Sequence, residues 1–153
     1  MACEFLYNPI QEVALNAPIL FDTSIPCNRG NIYHEGQTGN FILRGANGNG
    51  CNQFAQYQVT FNGNIAIPTG GTAGPIAVAI AVNGEPRLTS RAIITPAAVE
   101  EYGNVTSTAI IKVPRCCCFS LSVDAVPATT DPTVTPAPVI AVQNANLTIT
   151  RIA

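Results

Sequence analysis

The stretch 53–86, QFAQYQVTFNGNIAIPTGGTAGPIAVAIAVNGEP, constrains the fold more than any other part of the chain. Ala55, Tyr57, Val59 and Phe61 alternate with Gln56, Gln58, Thr60 and Asn62. A period of two sends successive side chains to opposite faces of a strand, one face toward a core and one toward water. Asn62-Gly63-Asn64 then reads as a turn, and 68–75 as a flexible loop. The run 76–82, IAVAIAV, is apolar on both sides and bracketed by Gly74-Pro75 and Asn83-Gly84. So short a run between turn signals reads as a strand buried on both faces, not a helix. Asn83-Gly84 is a tight-turn dipeptide, because both residues tolerate positive φ.

The remaining chain repeats this grammar. With 153 residues there is room for one domain with its own core. Residues 1–12 read as an N-terminal arm, broken at Asn8-Pro9, and 13–153 as the domain. Strand-like alternation recurs over 31–34, 40–44, 88–95, 106–113, 116–124, 139–142 and 147–152, with a Pro/Thr/Ala-rich loop over 125–138. Only 96–102, PAAVEEY, suits a helical turn. The expected fold is all-β, a jelly-roll β-sandwich of about eight to ten antiparallel strands.

Composition narrows the partners. Charged residues make up only 10% of the chain, so Asn, Gln, Thr and Ser must supply the polar surface. Such a surface repels copies of itself weakly, which suits assembly. A net charge of -2 and a pI near 5.2 provide no basic field for phosphate backbones, so nucleic acid is not an expected partner. No apolar run has the length of a membrane span, and no membrane partner is expected. The opening Met-Ala-Cys-Glu-Phe lacks the basic and apolar regions of a signal peptide. The expectation is synthesis in a cytoplasm, with export only by lysis or by assembly into a particle.

The order of these pieces resembles the trimeric tumour-necrosis-factor/complement-globular-head jelly roll, and within it the bacterial branch at the tips of collagen-like spore-surface glycoproteins. The matching pieces are ILFDT (19–23), NIYHEGQTGNFILRG (31–45), AQYQVTFNGNI (55–65), IAVAIAVNGEP (76–86), TSTAIIKVPRCCCFSLSV (106–123) and NANLTITRIA (144–153). Two departures stand out. No Gly-X-Y stalk precedes the domain, and Pro114-Arg115 with three cysteines stands where the family carries Gly-Asp. The resemblance implies a homotrimer in which aromatic side chains stack along a three-fold axis. Tyr33, Tyr57, Phe61 and Phe119 are the candidates here; for Phe61 and Phe119 the domain's own core is an equal expectation.

Few residues suggest chemistry. Cys116, Cys117 and Cys118 on one strand would alternate faces and serve either as small core hydrophobes or as cross-links to Cys3, Cys27, Cys51 or another subunit. Cys3, on the expected arm, is the first candidate for an inter-subunit bond. Without a Cys-x-x-Cys pair, and with His34 as the only histidine, no metal is expected. His34 beside Glu35 reads as a solvated turn residue, and no nucleophile motif accompanies it. Glu100 and Glu101 are adjacent and would not face each other as a glycosidase pair. The glycine-rich loops lack the strand-to-helix context of a phosphate site. Asn104-Val105-Thr106 and Asn146-Leu147-Thr148 match a glycan acceptor pattern, set aside without a secretion signal.

The expected function is therefore non-enzymatic and without cofactor: a structural or adhesive homotrimer on the exterior of a phage virion or spore. Loops 45–50, 69–74 and 125–138 would face coat or capsid lattice proteins or surface glycans. The alternatives are a carbohydrate-binding module and a disulfide-linked subunit of a surface filament.

Overall fold

The computed structural model describes residues 2–25, 30–47 and 53–153. Among the described residues twelve strands form two antiparallel sheets packed face to face. In chain order they are β1 (Ala2–Tyr7), β2 (Gln11–Ala14), β3 (Thr23–Ile25), β4 (Ile32–His34), β5 (Phe41–Arg44), β6 (Phe54–Ala66), β7 (Ile76–Val82), β8 (Glu85–Pro86), β9 (Ala92–Ile94), β10 (Gly103–Pro114), β11 (Cys118–Val126) and β12 (Val139–Arg151). The first sheet runs β10-β6-β12-β1-β3, with β2 also on β12; the second runs β4-β5-β11-β7-β8, with β9 also on β7. The all-β jelly-roll expectation holds. The strand number exceeds the expected range because several strands have only two to four residues.

The opening stretch behaves as its pattern requires, with one exception. Ala55, Tyr57, Val59 and Phe61 are buried while Gln58 and Asn62 are exposed. β7 is buried on both faces: one side meets the sandwich core, and on the other Ala77 and Ala79 pack in a small apolar cluster with Val126 and Ala128. Asn83 (φ 53) and Gly84 (φ 80) make the tight turn between β7 and β8. The exception is Asn62-Gly63-Asn64, which is no turn: β6 runs unbroken through it for 13 residues. Gly63 faces inward, where a Cβ would lie 2.9 Å from the Phe61 ring. On the outside, Asn104 Nδ2 donates to Asn62 Oδ1 (2.9 Å) and Asn64 Oδ1 (3.2 Å), holding both amides on the sheet. Cross-strand partners override turn propensity here.

Two other expectations are corrected. Residues 2–7 are no arm: β1 is an interior strand, with Ala2 opposite Thr150 on one side and Glu4 opposite Ile25 on the other. Phe5 joins Phe41 and Phe21 in an aromatic cluster with ring centroids 4.5 and 5.7 Å apart along the chain of contacts. The segment 96–102 forms no helix. Glu100 takes φ 60, which ends any helical run, and a single 3-10 turn lies earlier, at Leu88–Ser90.

Candidate functional site

The outer face of the first sheet is built from the even-numbered positions of β6, β10 and β12. Register places Thr108, Thr60, Thr148, Glu4 and Ile25 in one row across it. Thr106, Asn62, Asn146, Leu6 and Thr23 form the next row, and Ile110, Gln58, Thr150 and Ala2 a third. Glu4 is the only charge in these three rows. The polar groups satisfy one another: Thr60 and Thr108 hydroxyls are 3.3 Å apart, Thr106 Oγ1 donates to Asn62 Oδ1 (3.2 Å), and Asn146 Nδ2 donates to Glu4 Oε1 (2.5 Å). Ile110 and Ile25 stand out of this face, 56% and 54% exposed. A surface of such low charge, with its one central carboxylate already bonded to Asn146, loses little on dehydration.

One end of the sandwich gathers the cysteine triplet. β10 leaves the first sheet at Pro114 and β11 enters the second at Cys118, so Arg115, Cys116 and Cys117 make the turn between sheets. Cys116 has φ 60, and all three cysteines are exposed and free. They are therefore not core hydrophobes, because the chain needs these positions for the crossover, where no core reaches. Gly45 N–H donates to Cys117 C=O (2.8 Å), which brings the start of loop 45–50 to this same end. Tyr57 closes the core beneath the turn; its hydroxyl donates to the carbonyls of Arg44 (2.5 Å) and Asn31 (3.2 Å). Burial pushes the Tyr57 phenol above its ordinary range, partly offset by Arg151 and by the bond to Arg44.

The opposite end holds a groove of about 710 Å³ between loops 67–75 and 134–139. Pro68, Pro75, Pro136 and Pro138 wall it, with Thr72 and Thr135 as hydroxyls and Glu12 as its charge. Thr69 Oγ1 donates to Glu100 Oε1 (2.5 Å) beside it. Loops 69–74 and 125–138 thus line one groove, while loop 45–50 begins at the other end; its residues 48–50 lie outside the described ones.

The remaining candidates disperse. Tyr57 and Phe61 are 0% exposed within the domain's own core, so they do not line an inter-subunit axis. Phe119 is half-buried against that core, and Tyr33 alone of the four is exposed. Cys3 is buried on β1 and disulfide-bonded, so it is not presented to a neighbouring subunit. Cys27 and Cys51 lie outside the described residues. His34 is not simply solvated: it stacks on Phe41 at 4.5 Å, and its Nε2 is 2.7 Å from Thr38 C=O. The Asn104 and Asn146 amides are both engaged on the sheet. No group of three or more His, Cys, Asp or Glu among the described residues is arranged to hold a metal ion. The low-charge face of the first sheet was missed in sequence. Its signal was the outward half of the alternation in β6, β10 and β12, mostly Thr, Asn and Gln with Ile110 and a single charge, Lys112, where an ordinary sheet carries many.

Several solved structures share this fold. The globular domain of zebrafish complement 1qA matches over 99% of this chain and 97% of its own, with TM-score 0.61 and 11% identity. Eiger TNF from S. frugiperda matches over 100% and 92%, with TM-score 0.65 and 12% identity. Murine APRIL at pH 5.0 matches over 99% and 98%, with TM-score 0.58 and 10% identity. No family model and no curated protein matches the chain. The fold is that of TNF/C1q-like jelly rolls.

Proposed function

We propose that the protein is a non-enzymatic homotrimer that serves as a structural or adhesive unit on the exterior of a particle, either a phage virion (capsid decoration or fibre head) or a spore surface layer. The observation that carries this reading is the low-charge, internally bonded outer face of the first sheet. β6 and β12 each have 13 residues. At about 3.3 Å per residue and roughly 4.8 Å between five strands, the face offers on the order of 800 Å². That is about what one partner contributes to a stable interface. The TNF/C1q-like fold is typically trimeric, which supports a closed three-fold arrangement over a filament. The low charge of the surface supports packing into a crowded layer.

The experiment is native mass by light scattering, with and without reductant. Three times 16.0 kDa in both conditions is the expected result. A monomer overturns the trimer, and growth only without reductant favours the disulfide-linked filament subunit. The particle is tested by mass spectrometry of purified virions and spores from the source of the gene.

A second reading, a carbohydrate-binding module, is supported by the groove between loops 67–75 and 134–139, with its hydroxyls and exposed glycine backbone. It has no aromatic wall for stacking a sugar ring, so it takes second place. A glycan array without hits removes it.

A further inference from the structure

We propose that the β10–β11 turn is a thiol-exchange site selective for anionic disulfides, independent of the trimer. Cysteine is among the most buried residue types, yet Cys116, Cys117 and Cys118 are all exposed and free on one crossover. Bonds between sequence neighbours are disfavoured, because their Cα atoms are about 3.8 Å apart and disulfides prefer roughly 4.4–6.8 Å. With none of the three paired, the thiols face solvent.

Their surroundings select the reagent. Of the seven basic residues in the chain, four belong to this end: Arg44, Lys112, Arg115 and Arg151. Arg44 stands directly opposite Cys118 in the β5–β11 register, and Arg115 immediately precedes Cys116. Tyr57 links them: its hydroxyl is bonded to the Arg44 carbonyl, and Arg151 stands opposite Tyr57 in the β12–β6 register. Lys112 is held nearby by its position 3.9 Å over the Phe54 ring, next to Pro114 in register. Arg151 Nε donates to the Ala153 oxygen (3.0 Å), and the side-chain carboxylates closest in register are Glu4, opposite Thr148, and Glu85, opposite Val82. A like-charged second copy of this end is disfavoured here, and an anionic disulfide is favoured.

The step balances without another oxidant. A cysteine loses its proton to solvent and its sulfur attacks one sulfur of the incoming disulfide. The old S–S bond breaks, the mixed disulfide forms, and the departing half leaves as a thiolate that takes up a proton. The protein sulfur is oxidised and the leaving half is reduced.

The test uses the folded full-length protein with oxidised glutathione as the anionic probe and cystamine as the cationic one, followed by intact mass and peptide mapping. We expect glutathione adducts on 116–118 to form about tenfold faster than cystamine adducts at low salt. That preference should collapse in concentrated salt and shrink in Arg44→Gln. Equal rates or a cationic preference would overturn the proposal. So would adducts mapping elsewhere, or disulfide-linked copies accumulating before any mixed disulfide.

Discussion

The hydroxyl of Tyr57 on β6 donates to the main-chain carbonyl of Arg44 on β5, 2.5 Å away, and so ties one sheet of the sandwich to the other. The same hydroxyl lies 3.2 Å from Asn31 C=O, a second acceptor that shares its one proton. Tyr57→Phe leaves both without this partner and should cost about 1–3 kcal/mol, read from urea denaturation. The phenol also sets an alkaline limit. Its folded pKa is raised above 10.0 by burial, so its contribution is complete below pH 10 and is lost as pH rises through the folded value. Wild-type stability should fall above pH 10 more steeply than that of Tyr57→Phe.

Asp124 is a carboxylate that the fold would rather hold neutral. It is buried on β11, and burial raises its pKa above 3.8, against the lowering effect of the Ser122 hydroxyl, which donates to Oδ1 at 2.7 Å. A raised folded pKa favours the native state below the unfolded pKa and loses that benefit as pH rises through the folded one. Asp124→Asn keeps an acceptor for Ser122 and should raise the denaturation midpoint at pH 7. The difference from wild type should shrink toward zero as pH approaches 3.8. A variant less stable than wild type at pH 7 would contradict this.

Two glycines differ in what surrounds them. A Cβ at Gly45 would overlap the Pro114 carbonyl oxygen, a backbone atom of the crossover that cannot swing away. A Cβ at Gly63 would meet only the tip of the Phe61 ring, at 2.9 Å. Gly63→Ala should therefore cost about 1–3 kcal/mol, and Gly45→Ala more than that. Thermal denaturation of the two variants side by side checks the order.

If the first sheet carries the assembly, a charge on its low-charge face should break it without unfolding the domain. Ile110→Glu replaces an exposed side chain, so the circular dichroism spectrum should stay unchanged while the native mass falls to 16.0 kDa. Tyr33→Ala, on the other sheet, should leave the mass as it is.

The parts of this fold legible in sequence are those where local pattern and tertiary environment agree. β7 is apolar throughout because it is covered on both sides, and Asn83-Gly84 turns because nothing opposes it. Asn62-Gly63-Asn64 misleads because its stabilising partner, Asn104, lies 40 residues away in sequence. Tyr57 and Phe61 point toward the core by alternation alone, and a three-fold axis is implied for them only by the family resemblance. The cysteine triplet looks like a strand because it adjoins one, and only the crossover between sheets reveals that Cys116 and Cys117 lie outside it. The β1 segment looks like an arm because its partners, β12 and β3, include the last strand of the chain.

That last pairing governs biosynthesis. β12 sits between β6 and β1 and also accepts β2, so three earlier strands wait for residues 139–151 before they can be hydrogen-bonded on that side. Closing the contact between Ala2 and Thr150 spans nearly the whole chain, which is an entropic barrier to rapid folding. A nascent chain short of β12 carries open strand edges, the template for pairing with a neighbouring polypeptide. Folding therefore waits for residues 139–151, and a message truncated before codon 139 should yield aggregate rather than a smaller domain.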